Sequence, residues 1–236
     1  MPKEPKLSKR DATRENILTS ALKLFREKGF EPTTMRDIAK AAGLSLGASY
    51  YYFKTKEAIV MAYYDRVQAE HTALAIPAMK KAKDFRARLG VAMHTKLDII
   101  KDDRRLLVAL FRYGGDPDHQ LSWFGPATTK QRELAMEIFE AAIGDEKLPK
   151  DIRMLAPRLL WTAHMGMILY FLNDRSSGQK KTRALVDGGL DLLVQAFTMS
   201  SNQLLQPILK PIRSRVIHLL EDAELVPAEN QSKQGK

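Results

Sequence analysis

The chain has 236 residues, with 38 Lys and Arg against 28 Asp and Glu, a net charge of +10, and no cysteine. The missing cysteine excludes disulfides, thiolate metal sites and cysteine nucleophiles, and suits a reducing compartment such as the cytosol. A composition of 44% hydrophobic and 28% charged residues is that of a globular fold, and the positive excess makes a polyanion the natural partner.

No run of about 18 apolar residues is present, so no bilayer span is expected. The opening MPKEPKLSKRDATRENI is charged with no apolar stretch after it, so no secretory signal is expected either. Residues 1–66 carry 13 basic and 8 acidic side chains, whereas residues 67–206 carry 20 and 16, so the charge excess is densest at the front.

Helical periodicity runs nearly throughout and period-2 alternation is missing, which predicts an all-α fold. The first helix is expected from about Asp11 to Lys28, with Ile17, Ala21, Leu24 and Phe25 on one face and Gly29 as its stop. A short second helix follows Thr34, whose hydroxyl can cap it with Asp37 as a capping-box partner, and Gly43 breaks it. Ser45 caps a third helix from Leu46 to about Tyr52. Thr55 caps a fourth from Lys56 to about Ala75, which Pro77 ends or bends. Later helices are expected at about 79–102, 104–113, 127–143, 152–173, 182–200 and 208–221, with Asp102 and Asp103 read as cap and turn residues.

Three helices of this length with glycine in the last turn describe a helix-turn-helix, whose third helix can enter a major groove about 12 Å wide. The stretch from Thr34 through Gly43-Leu44-Ser45 to Tyr50-Tyr51-Tyr52-Phe53, followed by Lys54-Thr55-Lys56-Glu57, resembles the DNA-binding domain of the TetR family of bacterial transcriptional regulators. The resemblance covers about residues 11–71. It implies an N-terminal helix-turn-helix DNA-binding domain there and a larger helical ligand-binding and dimerisation domain over 72–225.

Thr34 and Arg36, at the start of the second helix, Tyr50 and Tyr51 on the third, and Lys56 are the candidate contacts to the phosphate backbone. Ser45, Leu46, Gly47 and Ala48 are the candidate base-edge contacts. That set holds no Arg, Asn or Gln for bidentate readout, so specificity is expected to draw on Arg36, phosphate geometry or DNA shape. Tyr52 and Phe53 are read as packing. Ser49 departs from the family, where an apolar residue is usual; it either faces solvent or packs poorly. Lys3, Lys6, Lys9, Arg10 and Arg14 form a basic arm that either adds DNA contacts or is simply solvated.

In the larger half, Leu97, Phe111, Tyr113, Trp123, Trp161, His164, Met165 and Tyr170 are the candidate pocket for a small apolar or aromatic effector, His164 being the polar group that could orient it. Leu185, Gly188, Gly189, Leu192 and Ala196 are the candidate homodimer seam, pairing with helix 152–173 in a four-helix bundle. The expected function is a sequence-specific regulator, a repressor released from a pseudo-palindromic double-stranded operator by its effector. The alternative is a helical carrier of lipids or other hydrophobes that keeps the fold without binding DNA. No catalytic motif, metal-ligand spacing or cofactor loop is present: the five histidines form no H-E-x-x-H, and G-x-S-x-G is absent. No enzyme activity, cofactor or metal is therefore expected.

Overall fold

The computed structural model describes residues 8–116 and 118–222, and its regular elements are all helical. Among the described residues ten α-helices follow in order: α1 (Lys9–Lys28), α2 (Met35–Ala41), α3 (Leu46–Tyr52), α4 (Lys56–Met79), α5 (Phe85–Ile100), α6 (Arg104–Gly114), α7 (Thr129–Ile143), α8 (Lys150–Asn173), α9 (Lys180–Ser201) and α10 (Gln206–Asp222). Lys3, Lys6 and the end of the second expected domain lie outside the described residues.

α1 opens two residues earlier than its apolar periodicity predicts, because the Ser8 hydroxyl accepts the Asp11 amide at 3.1 Å. Lys9 and Arg10 are therefore helical rather than part of an arm. Ile17, Leu18, Ala21, Leu22 and Phe25 are buried, each large apolar side chain contributing about 1.5–3 kcal/mol.

α2 and α3 have seven residues each, too few to hold themselves, so caps and packing stabilise them. Thr34 and Asp37 form a reciprocal capping box on α2, and the Ser45 hydroxyl accepts the Ala48 amide at 3.1 Å on α3. Gly43, at φ +69°, makes the turn between them, and the Leu44 amide closes it onto Ala39 O at 2.9 Å. Asn16 ties the pair to α1 by donating to Ala42 O at 2.9 Å.

α4 runs past residue 71 and past Pro77 to Met79. Pro77 does not end it: proline removes one donor, and the carbonyl left without a partner, on Ala73, is on the solvent side while Ala75 and Met79 stay buried. Pro157 sits inside α8 in the same way, held by buried Leu155, Ala156, Leu160 and Trp161 around it. α5 begins at Phe85 rather than near 79, because the Asp84 carboxylate caps it by accepting the Ala87 amide at 2.7 Å. α4, α5 and α7 pack on one another. α8 covers α7, α9 covers α5, and α8 and α9 lie side by side. α6 rests on α1, which joins the front of the chain to this bundle.

Candidate nucleic-acid interface and effector cavity

The front three helices present α3 outward. Tyr50 and Tyr51 are 41% and 66% exposed, with the Tyr51 ring edge-on to half-buried Tyr52 at 5.2 Å. Ser45 and Gly47 are exposed, and no atom lies within 4 Å of a Cβ built at Gly47, so a groove floor can approach closely there. Leu46 and Ala48 are half-buried, Leu46 resting on the core. Arg36 is exposed and makes no ion pair among the described residues.

Thr34 and Lys56 are more committed than their sequence positions suggest. The Thr34 hydroxyl donates to the Asp37 carboxylate at 2.8 Å and its amide donates to the same oxygen at 3.0 Å, which holds the carboxyl below its usual range and keeps an anion at this helix start. The Lys56 ammonium donates to Phe30 O at 2.9 Å and Glu31 O at 3.2 Å and sits 4.5 Å over the Phe30 ring. Lys56 is thus a clasp between α4 and the α1–α2 loop, with two of its three donors spent. Ser49 does not face solvent: it is fully buried and its Oγ has no partner.

A junction invisible in the sequence joins this unit to the bundle. Asp103 stands at the head of α6, yet its carboxylate does not cap the helix. It is 2% exposed and accepts Arg26 Nε of α1 at 2.6 Å and the Tyr63 hydroxyl of α4 at 2.9 Å. The hydrogen bond to Asp103 raises the Arg26 pKa, and burial followed by the charge of Asp103 raises that of Tyr63. Arg105 donates to Glu27 O at 2.7 Å, closing the end of α1. At the far end of α6 the Tyr113 hydroxyl donates to Glu31, and its ring meets Phe30 edge-on at 6.1 Å.

A cavity of about 120 Å³ opens between α4, α5, α7 and α8. Of the eight pocket residues expected from sequence, Trp123, Trp161, His164 and Met165 line it. The other four do not. Leu97 is sealed in the core, Phe111 packs behind Trp123 at 3.8 Å, Tyr113 belongs to the junction, and Tyr170 is 42% exposed on the outer side of α8.

The cavity residues that sequence reasoning missed are largely polar: Tyr63, Tyr64, Gln68 and His71 from α4, Lys96 from α5, and Gln131 and Arg132 from α7. Desolvation, reinforced by the nearby Lys96 charge, pulls His164 down to about 3 and His71 lower still, so both rings are neutral at physiological pH. His71 Nε2 pairs with Ala92 O at 2.8 Å.

On the outer side, α9 turns Leu185, Gly188, Leu192 and Ala196 to solvent, Leu192 being 69% exposed. Gly189 points the other way: a Cβ there would meet Met167 of α8 at 3.4 Å within the same chain. Leu159, Gly166, Leu169 and Tyr170 extend the exposed apolar surface along α8, and Ile208, Ile212 and Leu219 along α10. Among the described residues no helix is long and apolar enough to cross a membrane, and no group of three or more His, Asp or Glu residues is placed to hold a metal ion.

Comparison with known proteins agrees with this architecture. The family model of bacterial regulatory proteins of the tetR family matches residues 17–63, and that of the tetracyclin repressor-like C-terminal domain matches residues 88–214. The chain is similar to the HTH-type transcriptional repressor KstR2 of Rhodococcus jostii, 28% identical over 61% of this chain and 72% of that protein. It is similar to the uncharacterized HTH-type transcriptional regulator YerO of Bacillus subtilis, 24% identical over 90% of this chain and 76% of that protein. In fold it resembles a TetR transcriptional regulator from Nitrosomonas europaea, with a TM-score of 0.62 and 21% identity over 77% of this chain and 98% of that one. Salmonella enterica GusR gives a TM-score of 0.60 and 22% identity over 81% and 100%. A helix-turn-helix that holds two tyrosines outward, an all-helical body behind it and a C-terminal family match over more than half the chain lead to one conclusion: the protein belongs to the TetR family and is a DNA-binding transcriptional regulator.

Proposed function

We propose that the protein is a homodimeric cytoplasmic repressor, released from a pseudo-palindromic operator when a small effector enters the cavity between α4, α5, α7 and α8. The observation that carries this reading is the position of Tyr63. It lines the cavity and shares the Asp103 carboxylate with Arg26 of α1. A ligand that displaces Tyr63 or neighbouring Leu107 of α6 acts on the same carboxylate that fixes the DNA-binding unit. α6 therefore transmits together with α4. A ligand that prefers a dimer with misaligned α3 helices lowers operator affinity through a coupling of about 1–3 kcal/mol.

In this reading residues 11–71 bind DNA and residues 72–225 hold effector and partner, with α4 continuous between them. Arg36, Tyr50 and Tyr51 supply phosphate contacts, Thr34 and Lys56 hold the frame, and Ser45 to Ala48 approach the bases. The exposed faces of α8 and α9 form the dimer seam, extended by α10. Hydrophobe carriage without DNA binding would leave two outward phenols and an unpaired arginine on one face without a role.

Selection of duplexes from fragmented genomic DNA by the full-length protein tests the proposal. An enriched inverted repeat whose half-sites lie on one face of the duplex, bound by two copies, is the expected result. Enrichment no better than for shuffled duplex would contradict it.

A further inference from the structure

The cavity is apolar in its walls but not in its charge. Among its lining residues are two cationic side chains, Lys96 and Arg132, and no Asp or Glu. Arg132 is held in place by three of its five N–H groups, which donate to Trp123 O at 2.7 Å, Gly125 O at 3.3 Å and Thr129 Oγ1 at 3.0 Å. Lys96 is the less engaged of the two. Its ammonium donates to Gln68 Oε1 at 3.1 Å, and among the described residues no carboxylate pairs with it; Glu70, the acid that acts on it, is exposed. Desolvation therefore pulls this ammonium down to about 7. A half-buried cation without a counter-ion is costly unless an anion arrives from outside.

The remaining polar atoms are of the other kind. His71 and His164 are neutral, and each has a buried ring nitrogen with no partner, Nδ1 and Nε2 respectively; Gln131 Oε1 is unpartnered too. His71 spends its N–H on Ala92 O, so its orphan nitrogen is an acceptor. Such acceptors suit a hydroxyl or a bridging water and repel a second anion. The geometry thus calls for a single negative group at one end of an otherwise apolar molecule.

We propose that the effector is an amphipathic carboxylic acid, its carboxylate held by Lys96 and its apolar body laid among Tyr64, Trp123, Phe139, Trp161 and Met165. This rests on the cavity being the effector site.

The test uses the chain's own reporters: it has two tryptophans, and both line the cavity. Full-length protein is titrated with decanoate and with 1-decanol, below their aggregation concentrations, and tryptophan emission is followed. A charge-assisted hydrogen bond predicts about tenfold or more tighter binding of the acid. Lys96→Met should erase that preference while leaving the alcohol's affinity in place. Equal binding of acid and alcohol to the native chain overturns the charge assignment and leaves the cavity reading intact, and this comparison needs no variant. An acid preference that survives in Lys96→Met overturns the role of Lys96. Emission unmoved by either compound overturns both the proposal and the effector site on which it rests.

Discussion

The two ends of the molecule treat polar side chains in opposite ways. In the DNA-binding unit, Ser49 apart, they are capped, paired or exposed: Thr34 with Asp37, Ser45 with the Ala48 amide, Lys56 with two carbonyls, Tyr50 and Tyr51 open to solvent. In the cavity they are enclosed and incompletely paired, as with Lys96, His71 and His164. A satisfied network gives a rigid face whose geometry is set before DNA arrives. An unsatisfied one stores a free-energy cost that a complementary ligand relieves, and so responds to ligand. Between them lies Asp103, a carboxylate that joins α1 and α4 at the head of α6.

Breaking that link should give the largest effect. Asp103→Asn removes a nearly buried carboxylate from Arg26 and Tyr63. Arg26 is partly solvated, so the expected loss is ~3 kcal/mol, at the low end for a buried pair. Chemical denaturation would read it, and effector should then release operator less completely. A loss under ~0.5 kcal/mol with unchanged release would show that the two ends are coupled elsewhere.

Lys96 gives an intermediate effect with a defined sign. It faces Glu70 and His71 from α4, His164 from α8 and Arg132 from α7. The histidines are already neutral above pH 5, so they do not titrate in the window that matters. Folded Lys96 loses its proton near 7, whereas the unfolded side chain holds it to about 10.4, so between these values the unfolded chain binds more protons. Full desolvation would give ~3.5 kcal/mol from pH 7 to 10; with this side chain still half open to solvent, the native protein should gain ~2 kcal/mol of stability relative to Lys96→Met. Parallel stability curves for the two proteins would remove Lys96 from the desolvated cavity.

The smallest effect sharpens the picture of the rigid end. Ser49 buries a hydroxyl with no partner. Ser49→Ala should raise stability by ~1 kcal/mol without altering duplex affinity. A destabilised variant would mean that the hydroxyl has a partner.

The same contrast explains what was legible beforehand. Ser45, Gly43 and Thr34 are local signals, and they place α3 at Leu46–Tyr52 because capping and turn chemistry act within three or four residues. Asp84 was such a signal too, and overlooking it put the start of α5 near residue 79. Of the seam residues expected on α9, Leu185, Gly188, Leu192 and Ala196 are exposed, whereas Gly189 faces Met167 of another helix. The cavity was only half legible. Which inward residues border a void depends on the volumes of four helices at once, so Leu97 and Trp161 look alike in sequence although only Trp161 lines it. Asp103 reads as a helix cap and Lys96 carries no signal of its own, since nothing local announces a buried charge or a partner 77 residues away.

The central claim is that the exposed face of α3 grips the phosphates of duplex DNA. Affinity for a selected operator, measured by fluorescence anisotropy across a salt series, tests it most directly for the native chain and for Tyr50→Phe with Tyr51→Phe. The account predicts a log–log fall with slope of about −0.9 per phosphate contacted, and affinity at fixed salt about tenfold or more lower in the double variant with unchanged thermal stability. A native affinity indifferent to salt, or a double variant that binds as the native chain does, would contradict it.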